Sequence, residues 1–145
     1  MAALVDGFLR SPRGAEVAQA RAVHRELEFL LSWPLGKAAA DGIYFQGFID
    51  LLYQAGDDRW HVVDYKSHLV AGDDVTTTAA PYKLQLAVYA LAVEEILGRP
   101  PDELTLFFLR GGREFSLAWT KQERERTIAT VNRQLAAALT QSEKR

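Results

Sequence analysis

The stretch GFIDLLYQAGDDRWHVVDYKS, residues 47–67, decides the fold because it contains two apolar segments separated by a turn. The first segment completes the run GIYFQGFIDLLYQ (42–54), which is rich in the aromatic and β-branched residues typical of strands. The turn AGDDR (55–59) follows, and WHVVDYKS (60–67) has the composition of a returning strand. Gly and two Asp residues between such runs predict a β-hairpin.

Segments on both sides of this hairpin alternate between helix and strand patterns. AEVAQARAVHRELEFLLSW (15–33) begins as a helix former and becomes a strand from about Val23. Residues 82–98 predict a helix, because the run is rich in Leu and Ala, follows a proline and ends at Gly98. Two strands and an amphipathic helix follow: LTLFFLR (104–110), REFSLAW (113–119) and KQERERTIATVNRQLAAALTQ (121–141). The sequence therefore predicts an α/β fold with a central mixed β-sheet of about five strands flanked by helices.

Length and composition predict one domain and exclude several classes of protein. The chain has 145 residues, 48% of them hydrophobic, which suits a single domain spanning residues 1–145. It has no cysteine, so disulfide frameworks, thiolate nucleophiles and cysteine zinc sites are excluded. A net charge of −2 argues against a protein that coats nucleic acid through bulk positive charge. The sequence shows no apolar run long enough for a membrane span and no secretory leader, so we expect a cytoplasmic protein with no membrane partner.

Asp64 and Lys66 stand two residues apart at the end of the returning strand, where a core has no use for either charge. Alternation along a strand places both side chains on one face, and on the preceding strand it groups Asp50 with Phe48 and Leu52. The hairpin would bring Asp50 near the level of Asp64. The pattern therefore predicts two acidic side chains and one basic side chain together at this end of the sheet.

Two carboxylates on an apolar sheet repel each other, and each prefers its neutral form unless a cation lies between them. Aspartate oxygens suit Mg²⁺ or Mn²⁺, which keep coordination positions open for water and phosphate oxygens. Lys66 would then lie beside a metal-bound water and a scissile phosphate, and would offset developing negative charge. A simpler interpretation stays open, in which Asp64 and Lys66 are an ion pair near solvent that contributes about 0–1 kcal/mol, and Asp50 is solvated.

Three segments in order resemble the motif series of the PD-(D/E)XK nuclease superfamily: GFID (47–50), VVDYKS (62–67) and QLAVY (85–89). The resemblance runs from about Arg25 to Leu97, and is in particular to the RecB- and AddA-type nuclease domains at the C-terminal ends of bacterial helicase-nuclease subunits. It implies a restriction-endonuclease-like core. It also implies a metal-dependent DNA nuclease, either exonuclease or endonuclease, that acts with a helicase in DNA repair and recombination.

The resemblance implies roles for individual residues. Asp50 and Asp64 would ligate Mg²⁺ or Mn²⁺, with the backbone carbonyl of Tyr65 as a further ligand. Lys66 would be the catalytic lysine. The implied catalytic set comprises the residues of all three motifs, namely Asp50, Asp64, Lys66, Gln85 and Tyr89.

The third motif segment contributes the Q-x-x-x-Y pair of the family, Gln85 and Tyr89. Their i, i+4 spacing places both side chains on one face of the predicted helix, which the resemblance turns toward the site. Tyr82, Phe29 and the dipeptide Arg-Glu at 25–26 also fit the AddA-type pattern. By this resemblance, Glu26 would lie near the metal.

This sequence departs from the family in its histidines. RecB-type domains usually carry a metal-binding histidine on a helix well upstream of the first motif strand, and only about two dozen residues precede Arg25 here. His24 is the nearest candidate, but it adjoins the Arg-Glu strand, so we expect a strand residue and not a ligand. We expect His61, which alternation turns away from Asp64, and His68, in the loop after the strand, to be structural or solvated. The chain is therefore expected to be a C-terminal fragment or a reduced member of the family, in which the metal site can be incomplete.

The expected reaction is phosphodiester hydrolysis by in-line attack of metal-activated water on DNA that is held through its backbone. The sequence contains no G-x-x-x-x-G-K-[ST] phosphate loop, so a helicase motor is expected as a partner domain or subunit, outside residues 1–145. A second interpretation stays open, namely a catalytically silent module that binds DNA or a partner subunit of a helicase complex. The motif residues favour the enzyme, and the missing upstream histidine favours the module.

Overall fold

The computed structural model describes residues 2–36, 42–70, 72 and 74–143. Its elements follow in chain order: α1 (Ala2–Arg10), α2 (Pro12–Ala18), β1 (Ala22–Trp33), β2 (Ile43–Gln54), β3 (Trp60–Leu69), α3 (Val75–Ala79), α4 (Lys83–Leu97), β4 (Glu103–Arg110), β5 (Arg113–Ala118) and α5 (Lys121–Glu143). A 3₁₀ turn at Ala80–Tyr82 connects α3 to α4. The predicted succession of strands and long helices is confirmed, and α1 and α3 are additional helices. Within the described ranges, no helix is long and apolar enough to cross a membrane.

The five strands form one mixed sheet in the order β1-β2-β3-β4-β5. Neighbouring strands pair antiparallel, except that β3 and β4 are parallel. A parallel pair needs a long crossover connection, which the segment containing α3 and α4 supplies. The prediction of an α/β fold with a mixed sheet of about five strands is therefore confirmed.

Helices cover both faces of the sheet, so each face has its own apolar cluster. In the first cluster, Leu86 of α4 packs with Val62 of β3, and both are fully buried. In the second cluster, Phe8 of α1 packs edge-on against Phe107 of β4, with ring centres 4.9 Å apart. Val62 and Val63 are adjacent in β3 and enter opposite clusters, as alternation along a strand requires.

Strands β1 and β2 extend beyond the rest of the sheet as a two-stranded arm. They pair with each other along their whole length, whereas β2 pairs with β3 only over residues 51–54. The two strands of the central hairpin therefore separate beyond residue 51. A gap opens there, at the level of Asp50 and Asp64, and this gap holds the candidate site.

The facing of the side chains along β2 changes at the same level. Ile49 and Leu52 both pack into the first cluster although they are three residues apart, and Leu51 packs into the second. Beside them in β1, Glu26 has a φ of 50°, a conformation that turns a strand and that non-glycine residues adopt rarely. The expectation that Phe48 shares a face with Leu52 is wrong, because Phe48 is exposed while Leu52 is buried in the first cluster.

A polar network around Arg13 fixes α2 to the second face of the sheet. The guanidinium donates to both carboxylate oxygens of Glu114, at 3.1 and 2.7 Å, and to the hydroxyl of Tyr53 at 2.9 Å. The Tyr53 hydroxyl donates in turn to Glu16, and its ring stacks on His61 with ring centres 4.8 Å apart. His61 is thus a buried structural residue on the face opposite Asp64, which confirms the expectation for it.

Candidate metal centre and catalytic cluster

Asp50 lies where β2 leaves β3, and its side chain takes over the pairing that the backbone abandons. The last paired residues are Leu51 and Val63. One step further, Oδ2 of Asp50 accepts the backbone N–H of Tyr65 at 2.8 Å. This hydrogen bond fixes the Asp50 carboxylate beside Asp64, so the predicted proximity of the two residues is confirmed.

Asp64 is a buried carboxyl group whose side chain is only 7% exposed. Burial is the main reason that the pKa of Asp64 rises to about 6, and contact with Asp50 raises it as well. The ammonium of Lys66 opposes both effects and lowers the pKa. The site therefore holds negative charge at a cost, which is the condition under which a bound cation is favoured.

Lys66 contacts Asp64 without satisfying it. Its Nζ lies 2.9 Å from Oδ2 of Asp64, but the contact lacks the geometry of a hydrogen bond. That buried oxygen consequently has no hydrogen-bond partner among the described residues. Nζ instead donates to Oε1 of Gln85 at 3.1 Å, and it lies 4.4 Å from the centre of the Tyr82 ring.

Helix α4 brings the third motif to the cluster. Gln85 is exposed at its end of the helix and meets Lys66, while Tyr89, one turn further, is buried. Burial is the main cause that raises the pKa of Tyr89 to about 12, and the charges of Asp64 and Asp50 add to it. The prediction that Gln85 and Tyr89 face the site from a helix is therefore confirmed.

Tyr65 has its side chain on the second face, where its ring packs edge-on against Phe8 at 5.0 Å. Only its backbone is at the cluster, and the carbonyl as a metal ligand stays a prediction. Glu26 and Asp50 together line a cavity of about 480 Å³ on this side, so Glu26 is a neighbour of the site. No group of three or more His, Asp or Glu side chains within the described ranges could hold a metal ion by itself.

The donor set that the structure does provide fits a hard divalent cation. Two carboxylates meet, one of them buried with an unsatisfied oxygen, and Mg²⁺ or Mn²⁺ prefers such oxygen ligands. These cations are commonly bound through one or two carboxylates, with water and phosphate oxygens completing the shell. The remaining ligands would therefore come from the backbone, from solvent and from a bound phosphate.

The histidines near the cluster are partly as predicted. His24 is an exposed residue of β1 that pairs with Leu52 and stacks on Trp60, so its expectation as a strand residue is confirmed. His68 was expected in a loop, but β3 continues to Leu69, so that expectation is wrong. Pairing with the parallel strand β4 carries β3 past Lys66, although the register shifts there.

One contact of the cluster was not predicted from the sequence. The hydroxyl of Tyr82 lies 2.9 Å from Nε2 of His68, and the same tyrosine ring faces the ammonium of Lys66. The only signal for it is the dipeptide Pro81-Tyr82 directly before the Q-x-x-x-Y helix. Its position follows from the 3₁₀ turn, which sequence patterns do not reveal.

Comparison with known proteins supports the interpretation of this geometry. A family model of the PD-(D/E)XK nuclease superfamily matches residues 2–144. An ATP-dependent helicase/nuclease subunit of Desulforamulus reducens, of the AddA type, is 34% identical over 117 residues, which cover 75% of this chain and 9% of that protein. The corresponding protein of Desulfitobacterium hafniense is 36% identical over 111 residues, covering 74% and 8%. The chain thus spans less than a tenth of the length of these relatives.

Among solved structures, the crystal structure of SSO0001 has the same general fold. It superposes with a TM-score of 0.50 over 79% of this chain and 50% of that chain. The sequences are 14% identical, so this likeness concerns the fold alone. The family model, by contrast, spans nearly the whole chain and includes the three motif segments that form the cluster. The chain therefore belongs to the PD-(D/E)XK nuclease superfamily.

Proposed function

We propose that this chain is a metal-dependent DNA nuclease domain that hydrolyses phosphodiester bonds. The observation that carries the proposal is the meeting of Asp50 and Asp64 in the gap between β2 and β3, with Lys66 beside them. Nothing in a purely structural role requires a buried carboxylate oxygen without a hydrogen bond. A divalent cation would satisfy that oxygen and relieve the repulsion between the two acids.

Asp50, Asp64 and the carbonyl of Tyr65 are the proposed ligands of Mg²⁺ or Mn²⁺. When bound, such an ion lowers the pKa of a coordinated water and polarises the phosphate. Lys66 remains at the edge of the cluster with its side chain 16% exposed, where its positive charge can offset the charge that develops on a scissile phosphate.

Gln85 and Tyr89 act from α4 in this proposal. Gln85 accepts a hydrogen bond from Lys66 and so directs the ammonium, while its exposed amide remains able to contact substrate. Tyr89 closes the inner wall beside Phe29, with ring centres 5.5 Å apart, and keeps its proton at neutral pH because its pKa is raised to about 12. Both residues therefore shape the site without adding negative charge to it.

The names of the curated relatives suggest the setting of this activity. Each is named as part of an ATP-dependent helicase/nuclease, and this chain corresponds to a small part of its length. We infer that residues 1–145 form a single nuclease domain that works with a helicase motor domain or subunit in DNA repair and recombination. Such a domain would meet its DNA in the cytoplasm.

A second function has one observation in its favour. The described residues contain no cluster of three metal-binding side chains, and the nearest histidine, His24, is on the outer strand β1. A site with two carboxylates could bind DNA, or a partner subunit of a helicase complex, without cleaving. This silent module would share the fold and differ in turnover alone.

Cleavage of labelled single- and double-stranded DNA separates the two functions. The nuclease predicts product with Mg²⁺ or Mn²⁺ and none with EDTA, because the charge on the phosphate then lacks its counter-ion. The silent module predicts DNA retention in a binding assay with no product under any of these conditions. Parallel purification of an Asp64→Asn variant controls for contaminating nucleases, which would cleave in both preparations.

A further inference from the structure

The ammonium of Lys66 has two neutral partners in addition to Asp64. One is the amide oxygen of Gln85 at 3.1 Å, and the other is the face of the Tyr82 ring, whose centre lies 4.4 Å from Nζ. An aromatic face attracts a cation within about 6 Å through its quadrupole, and it does so without carrying a charge. The lysine is thus held from a side where nothing neutralises it.

The Tyr82 ring is itself fixed in place. It ends the 3₁₀ turn Ala80–Tyr82 and packs half-buried against the first apolar cluster. Its hydroxyl is hydrogen-bonded to Nε2 of His68 at 2.9 Å. Between Lys66 and His68, the carbonyl of Ser67 accepts a hydrogen bond from Nε of Arg110 at 2.9 Å, which anchors the end of β3. The ring and the lysine therefore belong to one braced segment.

The three partners of Lys66 do not respond alike when a cation occupies the site. Asp64 would then share its negative charge with the cation, so its hold on the ammonium weakens. The amide of Gln85 and the ring of Tyr82 carry no charge to share, and their contacts persist. We propose that Tyr82 is a positioning residue, whose ring face holds Lys66 in the metal-loaded site and leaves its positive charge available to the scissile phosphate. This inference rests on the proposed nuclease function.

Substitutions that alter the ring electronically while keeping its shape test the contact directly. Tyr82→Phe keeps the ring and removes only the hydroxyl, so kcat should stay within about 2-fold. Phenylalanines of increasing fluorination at position 82 weaken the negative face of the ring, and kcat should fall stepwise by about 5-fold in total, with KM for DNA and the affinity for Mn²⁺ unchanged. A flat response of kcat to fluorination would overturn the proposal. Tyr44→Phe, an exposed tyrosine on the arm, is the matched control and should leave kcat unchanged.

A second measurement does not depend on cleavage. In the Mn²⁺-loaded chain, acetylation of Lys66 by an amine-reactive ester, followed by mass spectrometry, should be several-fold faster in Tyr82→Leu than in the wild type. Lys83, which lies over the Phe115 ring, serves as the internal standard and should react equally in both. Unchanged labelling of Lys66 would overturn the inference. If the wild-type chain does not cleave DNA, the proposed function fails, and the labelling rates still decide whether Tyr82 holds the lysine.

Discussion

The carboxylate of Asp50 accepts the backbone N–H of Tyr65 at 2.8 Å, one residue beyond the last pair of the β2–β3 ladder. A side chain thereby continues the sheet where the strand has turned away. The hydrogen bond also places the carboxylate next to Asp64, whose own oxygen is buried and unsatisfied among the described residues. Fold and candidate site consequently depend on the same contact, and substitutions can separate the two.

Replacing Lys66 by alanine should remove turnover and keep metal binding. Its ammonium contacts Asp64 and Gln85 and would act on the phosphate, so kcat should fall by about 100-fold or more. Calorimetric titration with Mn²⁺ should show affinity at least equal to that of the wild type, because a competing cation is gone. Loss of Mn²⁺ binding in a folded Lys66→Ala chain would mean that the lysine supports the metal and has a different role.

The stability of the metal-free chain should depend on pH through Asp64. Its pKa is about 6 in the folded chain and near 3.8 when unfolded, so the folded state binds more protons between these values. The contribution of Asp64 to the free energy of unfolding therefore rises as pH falls from about 6 to 4, and is lowest above pH 6. With EDTA present, the free energy of unfolding of Asp64→Asn minus that of the wild type should shrink by on the order of 2 kcal/mol from pH 7 to pH 4. A difference that stays constant with pH would contradict the buried, raised carboxyl group.

Arg13 should contribute strongly to stability although it lies far from the site. Arg13→Met leaves Glu114 and Tyr53 without their partner in a half-buried network, which should lower the free energy of unfolding by about 2 kcal/mol. Arg10→Met is the matched control, since Arg10 forms only an exposed i, i+4 pair with Asp6, and should change stability by less than about 0.5 kcal/mol. Urea denaturation of both variants measures the contrast, and equal effects would show that the Arg13 network is not stabilising.

His24 should prove irrelevant to the metal. It is exposed, stacks on Trp60 and belongs to the outer strand, so His24→Ala should leave Mn²⁺ affinity unchanged within error. A weakening of about 10-fold or more would make it a ligand. The same titrations should show weak binding of Mg²⁺, which keeps several waters, and better activity with Mn²⁺. Tight Mg²⁺ binding that is indifferent to His24 would mean that other ligands complete the shell.

Much of the fold and of the site could be predicted from the sequence because both depend on local patterns. The apolar runs around the AGDDR turn indicate the hairpin, and the hairpin alone brings Asp50 to Asp64. The positive φ of Glu26 could not be predicted, because a glutamate in a strand carries no signal for it. The pair of Arg13 and Glu114 joins positions 101 residues apart, and such a partnership emerges only once the sheet is built.

The most direct test of the account compares DNA cleavage by the wild type, Asp50→Asn and Asp64→Asn, each purified in parallel and assayed with Mn²⁺. Asparagine keeps an oxygen that can accept the N–H of Tyr65, so both variants should fold, as circular dichroism and denaturation can verify. The shared-cation site predicts robust cleavage by the wild type and loss of about 100-fold or more in each variant, together with weaker Mn²⁺ binding by calorimetry. Metal-dependent cleavage that survives in both folded variants would contradict the assignment of Asp50 and Asp64 as the metal site.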